Sequence, residues 1–273
     1  MGSPIADRGS LGIQGARGGS ATPLAEGRRM NKIRLDVLLQ ERGLAESRQQ
    51  AQRLIMAGKV SVDGALSDKP GRLLAPEVAV KVREPDRYVG RGGLKLEAAL
   101  KHFSIDVRGL VCLDIGASTG GFTDCLLQHG AARVHALDVG RGQLHQRLRQ
   151  DGRVVIHEGF NARYLEPHHI GETPDVATVD VSFISLRKIL PALCGVLRTR
   201  ARMITLIKPQ FEAGRAHVAR GGVVRDAAVR AEVVGEIRRF GEETLSLLWI
   251  GSCTSPLRGP AGNIEILACW EKP

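Results

Sequence analysis

A chain of 273 residues with 43% hydrophobic and 25% charged residues has the composition of a folded globular protein, with room for one large domain and one small one. Its apolar runs are short, as at 203–207, where a spanning helix needs roughly 20 apolar residues, so no helical membrane span is expected. The formal net charge of +10 points to a polyanionic partner such as nucleic acid, and aromatics at 4% are too few for a surface that works mainly by stacking bases.

Residues 1–29 are rich in Gly, Ser, Ala and Arg and lack hydrophobic periodicity. They read as a disordered leader, because a signal peptide requires an apolar core of roughly 7–15 residues. The stretch 30–90 reads as a small α/β module. Leu35, Leu38 and Leu39 recur at helical spacing, and Gly43 ends that helix. Ser47-Arg48-Gln49-Gln50 has the form of a capping box opening a second helix, with Ala51, Leu54 and Ile55 inward and Gly58 as its stop. Val60-Ser61-Val62 alternates into the turn Asp63-Gly64, a hairpin signal, and 78–82 is a further strand. Arg48, Arg53 and Lys59, on or just after the second helix, predict a basic stripe.

Beyond residue 91 strands alternate with helices. Helices are expected at 94–102 and 122–129, and strands at 110–114, 134–138, 154–157, 176–180, 203–207, 247–253 and 264–269. Such alternation predicts an α/β, doubly wound, Rossmann-like sheet, mostly parallel, with helices on both faces. The five cysteines (Cys112, Cys125, Cys194, Cys253, Cys269) form no CxxC and no Cys/His cluster. They read as reduced thiols of a cytoplasmic protein, with no metal site. His168–His169 stands without further ligands and is read as a loop pair.

Two constellations carry chemistry. The first is Asp114-Ile115-Gly116-Ala117-Ser118-Thr119-Gly120-Gly121-Phe122, directly after the first strand of the large domain and opening a helix. Glycines there allow a tight turn and close approach of a ligand to the backbone. The segment is neither GxGxxG nor a P-loop. Asp138, ending the next strand, is placed to accept hydrogen bonds from ribose hydroxyls. A glycine turn with a ribose acid fits an adenosine-bearing cofactor, and the leading Asp114 favours S-adenosylmethionine. The second constellation lies where an open sheet puts its active site, at the carboxyl ends of strands. Asp180 and Lys208 end strands, with Pro209 stopping continuation, and Glu265 is an acid amid apolar strand residues. Lys95, in Arg91-Gly92-Gly93-Leu94-Lys95, is the second cation. Two lysines and two carboxylates are expected to balance one another in one crevice.

The pattern from Arg34-Leu35-Asp36 through Gly43, Ser47-Arg48, Gly58 and Val62-Asp63-Gly64 resembles an S4 RNA-binding domain. The set Lys95, Asp180, Lys208, Glu265, together with the glycine turn, resembles the Lys-Asp-Lys-Glu tetrad of FtsJ-like ribose 2′-O-methyltransferases. From residue 30 onward the chain is similar to the TlyA family, which joins these two modules and carries an older haemolysin label. The resemblance implies domains at 30–90 and 91–273, and methyl transfer from S-adenosylmethionine to a ribose 2′-hydroxyl, that of a cytidine in ribosomal RNA. It implies Lys95, Asp180, Lys208 and Glu265 as catalytic residues, Lys208 orienting and deprotonating the hydroxyl. Asp114, Gly116, Ala117, Ser118, Thr119, Gly120, Gly121, Phe122, Asp138 and Asp180 would hold the cofactor. Arg34, Arg48, Arg53, Lys59 and Arg91 would meet RNA. The partner implied is ribosomal RNA within a ribosomal subunit, with no membrane and no obligate protein partner. The large subunit is the expected target, since small-subunit activity is tied in the family to terminal extensions and this chain ends soon after Trp270. A non-catalytic ribosome assembly factor and a membrane-active haemolysin are the competing readings; the intact tetrad disfavours the first and the lack of amphipathic or spanning segments the second.

Overall fold

The structure is a computed structural model and describes residues 32–83, 87–259 and 261–273; the expected leader at 1–29 lies outside them. The chain divides into two compact units at the Glu84/Pro85 boundary.

The first unit runs β1 (Ile33–Arg34), α1 (Leu35–Glu41), α2 (Arg48–Met56), β2 (Val60–Val62), β3 (Ala65–Leu66), β4 (Leu73–Leu74) and β5 (Val80–Val82). β1 pairs with β4, and β2 lies between β3 and β5 in an antiparallel sheet. Leu35, Leu38 and Leu39 of α1 meet Ala51 and Ile55 of α2 and Val60 and Val62 of β2 in one buried cluster. This is the helical spacing read from the sequence. Ser47 caps α2, its Oγ accepting the Gln50 N–H at 3.2 Å. The reciprocal half of the expected box is displaced by one residue: Gln50 Oε1 accepts the N–H of Glu46 instead of that of Ser47.

The second unit runs α3 (Gly92–His102), β6 (Val111–Ile115), α4 (Gly121–Gln128), β7 (Arg133–Asp138), α5 (Gln146–Arg149), β8 (Val154–Glu158), α6 (Pro167–Ile170), β9 (Val176–Val179), α7 (Leu190–Val196), β10 (Arg202–Ile207), α8 (Pro209–Glu212), α9 (Ala227–Arg239), β11 (Leu248–Thr254) and β12 (Ile266–Glu271). Its seven-stranded sheet has the order β11-β12-β10-β9-β6-β7-β8. β8, β7, β6, β9 and β10 are mutually parallel, while β12 and β11 are antiparallel. Alternate residues of each strand feed two separate apolar layers. Leu113, Ala177, Met203 and Ala268 belong to the layer that includes Leu190 and Leu193 of α7 and Ile237 of α9. Cys112, Val176, Ile204 and Leu267 belong to the one that includes Leu96 of α3 and Leu126 of α4. A strand buried on both faces must be apolar at successive positions, which is why these strands read as continuous runs.

One feature of the sheet differs from expectation. Glu265 is not within a strand: β12 begins at Ile266 and runs antiparallel, pairing Ile266 with Ile207. The start of β12 therefore lies at the same sheet edge as the carboxyl end of β10. That reversal carries Glu265 to the edge where Lys208 follows β10.

Candidate active site

The chain turns from β6→β7→β8 on one side of the sheet to β9→β10 on the other, so the switch point lies between β6 and β9. Loops diverge there and leave a crevice. Gly116 follows β6 at this point with φ +83°, and a Cβ on it would stand 2.4 Å from the carbonyl oxygen of Asp180, just beyond β9. Only glycine lets the two loops approach this closely.

Two cavities meet here, both lined by Gly116, Ser118 and Asp180. The larger, about 480 Å³, is also lined by Asp138, Val139, Gln143, Phe160, Asn161 and Ala162. Each oxygen of Asp138 accepts one main-chain N–H, Oδ2 from Ser118 at 2.8 Å and Oδ1 from Gly140 at 2.7 Å. A carboxylate offers about four acceptor positions, so two remain for hydroxyls of a ligand. An acid for a diol, apolar walls at Ile115, Leu137 and Phe160, and a bare glycine for close approach fit an adenosine-bearing cofactor.

The smaller cavity, about 230 Å³, is lined by Arg91, Lys95, Thr119, Gly121, Phe122 and Arg258 besides the shared residues. Lys95, Asp180, Lys208 and Glu265 come together as two ion pairs. Lys95 Nζ donates to Glu265 Oε2 at 2.6 Å, and Lys208 Nζ lies 2.6 Å from Asp180 Oδ1. Glu265 is fully buried and both lysines nearly so. Lys208 Nζ also donates to Ser182 Oγ at 2.9 Å. Asp180 Oδ1 is buried and accepts no hydrogen bond of good geometry, although the ammonium stands beside it. This is an acceptor with capacity to spare at the junction of the cavities.

The loop after Asp180 is braced from the Lys208 side. Glu212, at the end of α8, accepts the Ser185 hydroxyl at 2.6 Å and the Leu186 N–H at 2.8 Å. Burial pushes its carboxyl above the usual range. Phe183, within the braced loop, is 90% exposed at φ +62° and stands 5.1 Å from the Phe211 ring. An exposed aromatic in the left-handed region is unfavourable by itself and points to a binding face.

Several expected site residues lie elsewhere. Asp114 lines neither cavity. It is fully buried beneath the turn, where the hydroxyls of Thr123 and Thr178 donate to its two oxygens at 2.7 and 2.9 Å. Burial raises its pKa to about 6. It joins β6 to α4 and β9 and supports the glycine turn from below. Gly120 also lines neither cavity; it caps α4 in the left-handed conformation. In the first unit Arg48 and Arg53 do not form one stripe. Five helical positions separate them by about 140° around the axis. The structure instead sets Arg48 beside Arg34, both on Asp36. Arg53 is exposed on α2 and Lys59 half-buried just after it, while Arg91 is exposed at the rim of the smaller cavity.

The sequence alone assigned no role to Ser182, Phe183, Glu212, Arg258 or the Phe160-Asn161-Ala162 wall. The signal for the last was present: Gly159-Phe160-Asn161 directly follows a strand at the same carboxyl edge.

Residues 88–272 match the family described as FtsJ-like methyltransferase, and residues 33–80 match the S4 domain. The chain is 49% identical to the Mycobacterium tuberculosis 16S/23S rRNA (cytidine-2′-O)-methyltransferase TlyA, over 86% of this chain and 88% of the relative. It is 43% identical to Hemolysin A of Brachyspira hyodysenteriae, over 86% and 98% of the two chains. A solved Streptococcus thermophilus structure bearing a hemolysin label superimposes with a TM-score of 0.69 at 45% identity, covering 89% of each chain. Among the described residues no helix is long and apolar enough to cross a membrane.

Proposed function

Because this chain belongs to the TlyA family, an S4 domain joined to an FtsJ-like methyltransferase, we propose that it transfers a methyl group from S-adenosylmethionine to the 2′-hydroxyl of a cytidine ribose in ribosomal RNA. The observation that carries this reading is the pair of ion pairs, Lys95–Glu265 and Lys208–Asp180, in which Lys95 and Asp180 line the cavities while Glu265 and Lys208 stand behind them and line neither. The larger cavity suits the cofactor and the smaller suits an incoming ribose.

S-adenosylmethionine supplies a methyl group already activated on a sulfonium, so the protein contributes alignment and a place for one proton. Asp138 holds the ribose of the cofactor, and the Gly116–Ser118 turn lets it lie against the main chain. Asp180, shared by both cavities, stands between the cofactor and the substrate. Lys208, fixed by Asp180 and Ser182, orients the 2′-hydroxyl; after giving up its own proton to solvent, its neutral amine takes the hydroxyl proton as the methyl group passes from sulfur to oxygen. Lys95 and Glu265 close the other side and hold the hydroxyl in line. Neither pair leaves a net charge, so a neutral hydroxyl enters without meeting an unbalanced field. Phe183, exposed beside the larger cavity, offers a face on which a nucleobase can stack.

Arg34, Arg48, Arg53 and Lys59 of the S4 unit and Arg91 at the cavity rim would hold the RNA backbone. The large-subunit RNA is the proposed target; it is common to the names of the M. tuberculosis relative and of the Campylobacter jejuni 23S rRNA (cytidine-2′-O)-methyltransferase, 36% identical over 65% of this chain and 68% of that one. The test is to map 2′-O-methyl groups on both subunits from a strain lacking the enzyme, before and after incubation with the protein and S-adenosylmethionine. A new cytidine 2′-O-methyl in large-subunit RNA is expected. Absence of any new 2′-O-methyl on either RNA refutes the reading, and a site in small-subunit RNA alone refutes the choice of target.

A further inference from the structure

The buried carboxylate of Asp36 in the S4 unit performs no step described above, yet four groups converge on it. Arg34 donates to it twice, Nε to Oδ1 and Nη2 to Oδ2, each at 3.0 Å. Arg48 Nε donates to Oδ2 at 3.0 Å, Gln52 Nε2 to Oδ2 at 2.8 Å, and the Val37 N–H to Oδ1 at 3.0 Å. The carboxylate is 0% exposed, whereas the Arg34 and Arg48 side chains are 43% and 51% exposed. The charges do not cancel: two guanidiniums share one anion, leaving an excess of one positive charge on the surface.

Stability alone does not account for this arrangement. Asp36 sits in α1 between Leu35 and Leu38, accepts the Val37 N–H in the first turn, and is held well below the usual carboxylate range, first by the Arg34 guanidinium, so it does stabilise the unit. One guanidinium would suffice for that, and stability does not call for a second, half-exposed one on the same anion. Two like charges held side by side repel, and that repulsion is offset when an outside anion binds both. Among the described residues the side-chain hydrogen bonds of Arg34 and Arg48 all go to Asp36, through Nε and Nη2 of Arg34 and Nε of Arg48, while about half of each side chain faces solvent. The space behind Arg34 is kept clear by Gly71, where a Cβ would stand 3.2 Å from Nη1.

We infer that Asp36 is a positioning residue for RNA: it clamps Arg34 and Arg48 into a preformed two-guanidinium seat for a backbone phosphate. The inference rests on the reading of ribosomal RNA as substrate and specifies how the S4 unit grips it. Guanidinium forks match phosphate oxygens in a bidentate manner that lysine does not reproduce. Pre-ordering them on a buried anion removes most of the rotamer entropy that binding otherwise costs.

The test turns on sign. Asp36→Asn raises the net charge by one, so if undirected charge governs binding, the affinity for RNA rises. The clamp predicts the opposite, a loss of about tenfold with the salt slope lower by about 1 to 2. Full-length wild type, Asp36→Asn, Arg34→Lys/Arg48→Lys, Arg34→Ala/Arg48→Ala and the triple Asp36→Asn/Arg34→Lys/Arg48→Lys are titrated with a fluorescein-labelled RNA stem-loop at several salt concentrations. Thermal melting reports folding. The lysine double variant keeps every charge, alters only half-exposed positions and is expected to bind about as weakly as Asp36→Asn. The triple variant is expected to be no weaker than the lysine double, because Asp36 acts only through the arginines. Asp36→Asn binding as tightly as wild type or tighter while folded, lysine substitutions without effect, or additive losses each overturn the clamp. If Asp36→Asn does not fold, the lysine double variant decides by itself. An unchanged affinity of the alanine double variant overturns the RNA surface altogether. A wild type that binds RNA through the clamp but methylates none refutes the catalytic reading and leaves the clamp standing.

Discussion

Lys208 stands beside a carboxylate that lacks a well-formed hydrogen bond and donates to a hydroxyl of the same loop. A side chain held this way moves little, which suits a group that must meet a ribose hydroxyl within hydrogen-bond reach. Lys208→Ala is expected to abolish methyl transfer while leaving S-adenosylmethionine affinity within a few-fold, since Lys208 does not line the larger cavity, which suits the cofactor, and reaches the site only beside Asp180. A tritium-transfer assay paired with calorimetric titration of the cofactor separates the two effects; full transfer by the variant defeats the assignment. Only unprotonated lysine accepts a proton, so the single-turnover rate is expected to rise with pH, and a flat profile limits Lys208 to orientation. Lys95 and Glu265 carry a different risk. Truncating one member of a buried pair strands the other charge, a cost of about 3–5 kcal/mol. Lys95→Ala is therefore expected to lower the melting temperature, and Lys95→Met/Glu265→Gln to recover stability without recovering activity. Asp114 behaves as a structural acid. Its folded pKa of about 6 lies above the reference value of 3.8. Between those values the native state holds a proton that the unfolded chain has released, so this group's contribution to stability falls as pH rises from about 4 to about 6. Asp114→Asn removes that slope, as denaturant unfolding across this range would show; an unchanged slope places the titration elsewhere.

The same logic acts on loops. The turn after β6 and the loop after β9 cross at Gly116, and a methyl group there collides with a backbone carbonyl rather than a side chain that can swing aside. Gly116→Ala is expected to weaken cofactor binding by at least tenfold and to lower the melting temperature as well, because the two loops must part and the residue must hold a left-handed φ. Glu212 joins α8 to the loop that carries Ser182 and Phe183. Glu212→Ala is expected to reduce kcat and raise KM for RNA together, with the dissociation constant of S-adenosylmethionine changed less, because both Lys208 and the exposed aromatic lose their brace. These expectations follow from the loops meeting at one edge of the sheet. The central strands were readable because burial on both faces forces continuous apolar runs, whereas of the helices in the second unit only α3 and α4 were read and α5 to α9, the 13-residue α9 included, were not. The reversal of β12 was not readable: an apolar segment looks the same whichever way it runs. Without that direction, Glu265 looked like a strand interior residue instead of an edge residue facing Lys95.

Across the whole chain the net charge of +10 divides as +3 over residues 30–90, +2 over 1–29 and +5 over 91–273. Positive charge is therefore not confined to the S4 unit, and kcat/KM for ribosomal RNA is expected to fall by about tenfold or more between 50 and 200 mM salt while kcat holds nearly constant. Steady-state rates at saturating S-adenosylmethionine measure this, and a salt-independent kcat/KM rules out phosphate contacts as the main source of affinity. By itself the sequence determined the α/β class, the glycine turn, the acid that ends β7 and the four ionisable residues, because each depends on local spacing or on residue type at a strand end, and its resemblance to known families marked the two modules. Tertiary structure alone decided which lysine pairs with which carboxylate, that Asp114 lies buried beneath the turn and bonded to Thr123 and Thr178, and that Arg48 shares a buried anion with Arg34 and not a helix face with Arg53. Those outcomes depend on residues distant in the chain, Lys95 with Glu265 above all, whose separation is closed only when antiparallel β12 is laid against β10.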